Sequence, residues 1–211
     1  MSGLDYAKAT ADALRAVGAP PRELVIAHEC IVADPPWAFE DRLARKGRGA
    51  ENHYRVMPIG EICRYPWVTE TPSAMLPPQS RPRFSMASDA ILFLWRVSAM
   101  VPEALRVCEA WGFTPKSEIV WVKTTQDSKK LSFGMGHTVR NCHETCIIAK
   151  RGKPKITSRS VRSVFEAPVG AHSEKPDKFF ELVEELCEGP RLELFARKRR
   201  AGWTQMGDEL R

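Results

Sequence analysis

An apolar run early in the chain, Cys30–Ala33, is followed at once by an Asp-Pro-Pro-Trp tetrapeptide at residues 34–37. A short apolar segment that ends at a turn signal is typical of a strand buried on both faces of a parallel sheet. Open sheets of this kind bind ligands in the crevice outside the carboxyl ends of their strands. The sequence therefore predicts an α/β fold in which Asp34 lies beside a ligand crevice.

The two prolines give the tetrapeptide a one-sided hydrogen-bonding character. Because proline has no N–H group, the turn presents a carboxylate and backbone carbonyls but almost no donors. Such a surface suits a ligand group that offers only donors, such as an exocyclic amine. Trp37 adds a flat apolar face for a purine ring, with core packing as its alternative role. We therefore predict that Asp34, Pro35, Pro36 and Trp37 carry the chemistry.

The rest of the chain alternates predicted strands with predicted helices. This order favours a mostly parallel sheet, with one antiparallel edge strand as an option. Residues 63–88 are rich in proline and predict a surface insertion within a single domain that covers residues 1–211. The predicted strands lie at about residues 24–27, 30–33, 90–95, 117–123, 144–149 and 191–196, and the predicted helices at about 5–17, 98–111 and 176–188.

Composition limits the class of protein. A chain of 211 residues with 43% apolar content can bury a sizeable core. It has neither a long apolar stretch nor a signal peptide, so we expect a cytoplasmic protein that makes no membrane contact. Its six cysteines lack paired metal-ligand spacing and are expected to be reduced. Cys142 and Cys146 would share one face of a strand while His143 points to the other, so no metal ion is expected.

The formal net charge of +6 is compatible with a polyanionic partner. Basic residues concentrate at 38–56, 123–140, 150–162 and 197–200, whereas acidic residues gather at 181–188. Any one basic segment can be a solvated face, but segments that follow predicted strands can also line one crevice. The basic residues predicted to contact the substrate are Arg45, Lys46, Arg48, Lys123 and Arg140.

Several further segments occur in a fixed order after the tetrapeptide. They are His53-Tyr54, Ile91–Trp95, Glu118–Lys123, Arg140–Glu144, His172–Asp177, Leu192–Arg197, Gly202-Trp203 and Gly207–Glu209. Together with the tetrapeptide they resemble the family of the mRNA adenosine methyltransferase seventy-kilodalton subunit, whose members include bacterial and phage enzymes that modify DNA.

The resemblance implies a Rossmann-like methyltransferase fold with helices on both faces of the sheet. The motif order is permuted, because the tetrapeptide precedes the half that holds S-adenosylmethionine. The implied activity is transfer of a methyl group from S-adenosylmethionine to the N6 amine of adenine in the DNA of a bacterial or phage-infected cell, by in-line attack from a flipped-out or single-stranded base. The alternatives are an RNA adenine-N6 methyltransferase and a non-catalytic nucleic-acid-binding partner subunit. Oligomeric state and any protein partner stay open.

The resemblance also assigns residues position by position. In the implied reaction, Trp37 and Tyr54 are the candidate stacking surfaces for the base, with core packing as the alternative for Trp37 and a plain loop aromatic for Tyr54. Glu144 matches a position near the acceptor base, and its alternative is an edge-strand carboxylate paired with Lys150 or Arg140. The residues that match cofactor-binding positions are Asp34, Ser173, Lys175, Phe195, Arg197, Arg200, Asp208 and Glu209. The family often has Asn where this chain has Asp208, and a carboxylate there can still accept hydrogen bonds from ribose hydroxyls.

Overall fold

The computed structural model describes residues 26–38, 56–65, 85–134, 138–170, 174–207 and 210. These residues form one mixed sheet with helices packed on it. The strands are β1 (Ala27–Ala33), β2 (Ser85–Arg96), β3 (Thr114–Thr124), β4 (His143–Arg151), β5 (Val164–Pro168), β6 (Arg191–Leu194) and β7 (Trp203–Met206). The helices are α1 (Ile59–Cys63), α2 (Val101–Ala110) and α3 (Asp177–Leu186).

The sheet has seven strands in the order β5-β3-β4-β2-β1-β6-β7. Strand β4 runs antiparallel to its neighbours β2 and β3, and every other neighbouring pair is parallel. The expected position of an antiparallel strand at an edge is therefore wrong, since β4 lies inside the sheet. The carboxyl ends of the other strands and the amino end of β4 share one edge of the sheet, which we call the site edge.

Both faces of the sheet are covered, which explains why β1 is apolar without interruption. Helices α1 and α2 pack on one face, where Ile31 belongs to a buried cluster with Ile62 and Val107. Helix α3 packs on the other face, where Val32 lies in a cluster with Phe179. Because successive strand side chains point to opposite faces, burial of both faces requires an apolar residue at every position. The Rossmann-like fold with helices on both faces is confirmed.

The boundaries of several elements differ from those predicted. Ala27, from the predicted strand 24–27, and all of the predicted strand 30–33 belong to one strand, β1, and residues 24 and 25 lie outside the described residues. The pairing register of β1 with β2 shifts between His28 and Cys30. Strand β2 begins at Ser85, so the predicted insertion 63–88 overlaps it, and most of that insertion lies outside the described residues. The predicted helix 5–17 also lies outside them. The division into one domain stays a prediction.

The basic segment 150–162 lies away from the site edge because it follows β4, the antiparallel strand. It contacts the end of α3: Lys155 Nζ lies 3.1 Å from Glu188 Oε2, and Ser158 Oγ donates to Glu185 Oε1 at 2.6 Å. The acidic cluster at 181–188 therefore contacts this basic segment through an ion pair and a hydrogen bond. Among the described helices, none has the length and apolar character needed to cross a membrane.

Candidate active site

Four charged side chains from separate parts of the chain meet at the site edge. Asp34 follows β1, and Lys175 precedes α3. Lys123 is the next-to-last residue of β3, and Glu144 is the second residue of β4. Lys175 Nζ lies 2.7 Å from Asp34 Oδ2 and 3.2 Å from Glu144 Oε2. The second oxygen of Glu144 lies 2.5 Å from Lys123 Nζ. We call this continuous set of ion pairs the charge network.

Lys175 is the most enclosed member of the charge network, with a side chain that is 9% exposed. Burial by itself would lower the pKa of Lys175, but the carboxylates of Asp34 and Glu144 outweigh burial and raise that pKa. Burial likewise acts to raise the pKa of Glu144, and the two ammonium groups beside it lower it overall. Glu144 and Lys175 are therefore both charged at neutral pH, and the ammonium of Lys175 also lies 5.2 Å from the ring centre of Trp95.

Backbone hydrogen bonds hold the Asp-Pro-Pro-Trp turn in place. The N–H of Trp37 donates to the carbonyl of Pro35 at 2.9 Å, and the N–H of Met57 donates to the carbonyl of Pro36 at 2.7 Å. The N–H of Asp34 points to the carbonyl of Leu194 at 3.5 Å. Each carbonyl oxygen has two lone pairs, so that of Pro35 keeps one for a ligand. The turn is thus held in one conformation and still has hydrogen-bond acceptors available for a ligand.

Trp37 does not form the predicted stacking surface. Its side chain belongs to the buried core with 4% exposure, and its Nε1–H donates to the carbonyl of Trp95 at 3.1 Å. This bond holds the indole against the sheet, so its faces contact the core rather than a ligand. Core packing, the alternative role, is the one that the structure supports, and the prediction of a base-stacking platform at Trp37 is wrong.

A pocket opens beside Asp34, between β1 and the loop that joins β6 to β7. Its wall includes five of the residues predicted to bind the cofactor, namely Asp34, Lys175, Phe195, Arg197 and Arg200. Phe195 follows β6 with a φ of 60° and packs its ring 4.7 Å from that of Tyr65. Of the other predicted cofactor-binding residues, Ser173, Asp208 and Glu209 lie outside the described residues.

Arg200 also has a structural role beside this pocket. Its guanidinium lies 3.7 Å from the ring centre of Phe180, and Nη2 donates to Asp177 Oδ1 at 2.9 Å. Its backbone N–H donates to Gln205 Oε1 at 2.6 Å. Arg200 therefore joins the β6–β7 loop to the start of α3.

The sequence reasoning missed Glu193, which lines the same pocket. Its carboxylate accepts a hydrogen bond from Gln205 Nε2 at 2.6 Å. Burial, aided by the nearby charge of Asp34 and opposed by Gln205 and Arg200, raises the pKa of Glu193 to about 7. The signal was present in the sequence, since Glu193 is a lone carboxylate between Leu192 and Leu194 in a buried strand.

This raised pKa predicts a pH-dependent cost of folding. The folded protein binds the Glu193 proton more tightly than the unfolded chain, so the free energy of unfolding should decrease as pH rises from about 4.5 to 7. Glu193→Gln should be more stable than the wild type at pH 8, by about 2 kcal/mol, and should lose this advantage near pH 4. Chemical denaturation at both pH values measures the difference. An equal effect from the exposed control Glu181→Gln would contradict the assignment.

The residues predicted to contact the substrate are distributed unevenly. Lys123 and Glu144 belong to the charge network, and Arg140 lies exposed in the loop between β3 and β4. Glu144 pairs with Lys123 and Lys175, not with the alternative partners Lys150 or Arg140. Four predicted substrate-binding residues lie outside the described residues: Tyr54, Arg45, Lys46 and Arg48. Within the described ranges, no cluster of three or more His, Cys, Asp or Glu side chains could hold a metal ion.

Comparison with known proteins identifies the family. The model of the MT-A70 family matches residues 28–209, from β1 through the charge network to the segment after β7. The chain belongs to the MT-A70 family. Methyltransferases of this family use S-adenosyl-L-methionine as methyl donor, so the cofactor predicted from the sequence is confirmed for the family.

Relatives of two kinds are similar to this MT-A70 chain. An N(6)-adenosine-methyltransferase MT-A70-like protein of Arabidopsis thaliana is 30% identical over 85% of the chain and 23% of its own length. The human N(6)-adenosine-methyltransferase catalytic subunit METTL3 is 33% identical over 59% of the chain and 22% of its own length. The type II methyltransferase M.MunI of Mycoplasma sp is 25% identical over 87% of the chain and 78% of its own length. The chain thus spans about a quarter of the plant relative.

Proposed function

We propose that this protein transfers a methyl group from S-adenosylmethionine to the N6 amine of adenine in DNA. The observation that carries the proposal is Asp34 itself. Asp34 lies at the carboxyl end of β1, beside a pocket, in a turn that offers backbone carbonyls but few N–H donors. An ion pair with Lys175 holds its carboxylate in place. The family and the names of its relatives support adenine as the acceptor base.

The turn offers two acceptors for the two N–H groups of an adenine amine. Lys175 occupies Oδ2 of Asp34, which leaves Oδ1, and the carbonyl of Pro35 retains one lone pair. Hydrogen bonds to these oxygens favour a pyramidal nitrogen and release its lone pair from the ring. That lone pair would form the new N–C bond as the C–S bond of S-adenosylmethionine breaks. S-adenosylhomocysteine would leave, and the proton of the amine would pass to Asp34 or to water. Preorganised acceptors in an enclosed site stabilise the developing charge on the amine.

The pocket beside Asp34 fits the cofactor in chemical type. S-adenosylmethionine supplies a methyl group bound to a cationic sulfur, and it also carries a carboxylate, two ribose hydroxyls and an adenine ring. Arg197 and Lys198 line the pocket as partners for a carboxylate, and Glu193 is an acceptor for hydroxyls. Phe195 and Trp95 supply the apolar wall that a ring requires.

DNA is the substrate that we favour, with RNA as the second candidate. The match to a type II methyltransferase covers 78% of that protein, whereas the relatives named N(6)-adenosine-methyltransferases share only a quarter or less of their length. Those same names support RNA as the alternative. A base stacked in a duplex cannot reach Asp34, so the target is flipped out or taken from a single strand.

Methyl transfer to different nucleic acids tests the substrate. The full chain is incubated with labelled S-adenosylmethionine and with matched sequences of duplex DNA, single-stranded DNA and RNA. We expect label in DNA at a rate at least about tenfold above that in RNA. A preference for RNA would replace DNA by the second candidate. Absence of transfer to all three, with the cofactor bound, would support the non-catalytic partner subunit.

A further inference from the structure

The described residues of the loop between β3 and β4, 125–134 and 138–142, form two arms that extend from the site edge. One arm begins with an antiparallel bridge between Thr124 and Leu131, and a second bridge joins Gly134 to Asn141 across the two arms. The N–H of Gly134 donates to the carbonyl of Asn141 at 2.9 Å. These contacts give the described parts of the loop a ribbon-like backbone, and we call it the ribbon.

The ribbon exposes apolar side chains to an unusual extent. Of the seven large apolar side chains that are exposed among the described residues, the ribbon holds three: Leu131 is 54% exposed, Phe133 58% and Val139 64%. Lys129 and Lys130 directly precede Leu131, and Arg140 directly follows Val139. A partner that presents only phosphates would bind the cationic side chains but not the apolar ones. A purely apolar partner would bind the apolar side chains but not the cationic ones. A nucleic acid presents phosphates and base faces together, so it accounts for both.

The ribbon is attached directly to the charge network. Lys123 lies just before the ribbon in the sequence, and Glu144 lies just after it. These two residues form an ion pair with each other. The N–H of Ser132 donates to the carbonyl of Lys123 at 2.8 Å, so Phe133 lies one residue from a direct bond to the site. The exposed apolar side chains therefore belong to a loop that is joined at its base to the charge network.

We propose that the ribbon is a wedge that opens the nucleic-acid duplex. Phe133, supported by Leu131, enters the stack beside the target adenine and contacts the bases that the flipped nucleotide leaves uncovered. Lys129 and Lys130 hold the flanking phosphates. In other nucleic-acid-binding proteins, apolar side chains inserted between base steps unstack the bases. Contacts made by such side chains can therefore offset the free energy of unstacking. The inference rests on the proposed function, and Phe133 is a positioning residue rather than a catalytic one.

The decisive comparison is between duplex and single-stranded substrates. Phe133→Ala should reduce single-turnover methyl transfer to duplex DNA by about 10- to 100-fold, since stacking against an aromatic ring has this order of effect. Transfer to a single strand of the same sequence should change by less than about threefold, because the target there needs no extraction. Phe133→Trp should restore the duplex rate. Val164→Ala, at an equally exposed position on the opposite edge of the sheet, is the matched control.

A binding assay separates failure of the wedge from failure of the proposed function. The wild type should bind a duplex with one abasic site more tightly than an intact duplex, and Phe133→Ala should lose that preference whether or not methyl transfer occurs. Equal losses on duplex and single strand would overturn the wedge in favour of general binding. Unchanged rates and binding would overturn it outright. A wild-type dimer that Phe133→Ala converts to a monomer would assign the apolar side chains to a protein interface instead.

Discussion

Asp34→Asn is expected to reduce the single-turnover rate of methyl transfer by at least about 100-fold while the protein stays folded. Asparagine keeps the shape of the side chain and retains one oxygen that can accept from Lys175. It loses the charge that the attacking amine requires as its nitrogen becomes positive. Rapid-quench assays with labelled S-adenosylmethionine measure the rate, and circular dichroism checks the fold.

Asp89→Asn is the matched control for this substitution. Asp89 is an exposed carboxylate on β2 near the opposite edge of the sheet, where its Oδ1 accepts from the N–H of Lys153 at 2.6 Å. An asparagine oxygen can accept the same bond, so the control should transfer methyl groups at the wild-type rate. A near wild-type rate for Asp34→Asn would contradict the proposed role of the carboxylate.

Lys175→Met is expected to remove about 3 kcal/mol from the free energy of unfolding at pH 8, because breaking a buried ion pair leaves its partners uncompensated. In the wild type the ammonium of Lys175 separates the carboxylates of Asp34 and Glu144. Without it, these carboxylates repel each other, and the pKa of Glu144, which Lys175 lowers in the wild type, rises. Protonation then relieves the repulsion, so the deficit relative to the wild type should shrink as pH falls from 8 to 4.

Denaturant unfolding at pH 8, 6 and 4 measures this pH dependence. Lys178→Met is the matched control, since Lys178 is exposed and its Nζ donates only to the carbonyl of Glu166 at 3.1 Å among the contacts resolved for it. The double variant Lys175→Met with Glu144→Gln should recover part of the loss, because it removes one of the two carboxylates. A deficit of equal size at every pH would mean that packing, not charge, makes Lys175 important.

Local sequence patterns predicted the elements whose structure depends on neighbouring residues alone. The apolar run at residues 30–33 predicted a strand buried on both faces, and the Asp-Pro-Pro-Trp turn placed Asp34 at the carboxyl end of that strand. Both predictions agree with the structure, in which helices cover each face of β1. Strands β5 and β7 were missed because they are short edge strands of five and four residues in which polar residues interrupt the apolar ones.

The arrangement of the site depends on contacts that local patterns do not contain. The bond between Asp34 and Lys175 joins residues that are 141 positions apart. Only the sheet order, with β4 inserted antiparallel between β2 and β3, brings Lys123 and Glu144 beside them. The buried position of Trp37 has the same origin, because its partner is the backbone carbonyl of Trp95 on another strand.

Identification of the methylated nucleoside tests whether the protein methylates the N6 amine of adenine in DNA. DNA that has received a labelled methyl group from the wild-type protein is digested to nucleosides, and the labelled product is identified by mass spectrometry. We expect N6-methyldeoxyadenosine, with the label that Asp34→Asn transfers in a matched early time point reduced by at least about 100-fold. Label on a ring carbon would contradict the role of Asp34 as an acceptor for an exocyclic amine, and label on the N4 amine of cytosine would contradict adenine as the target base.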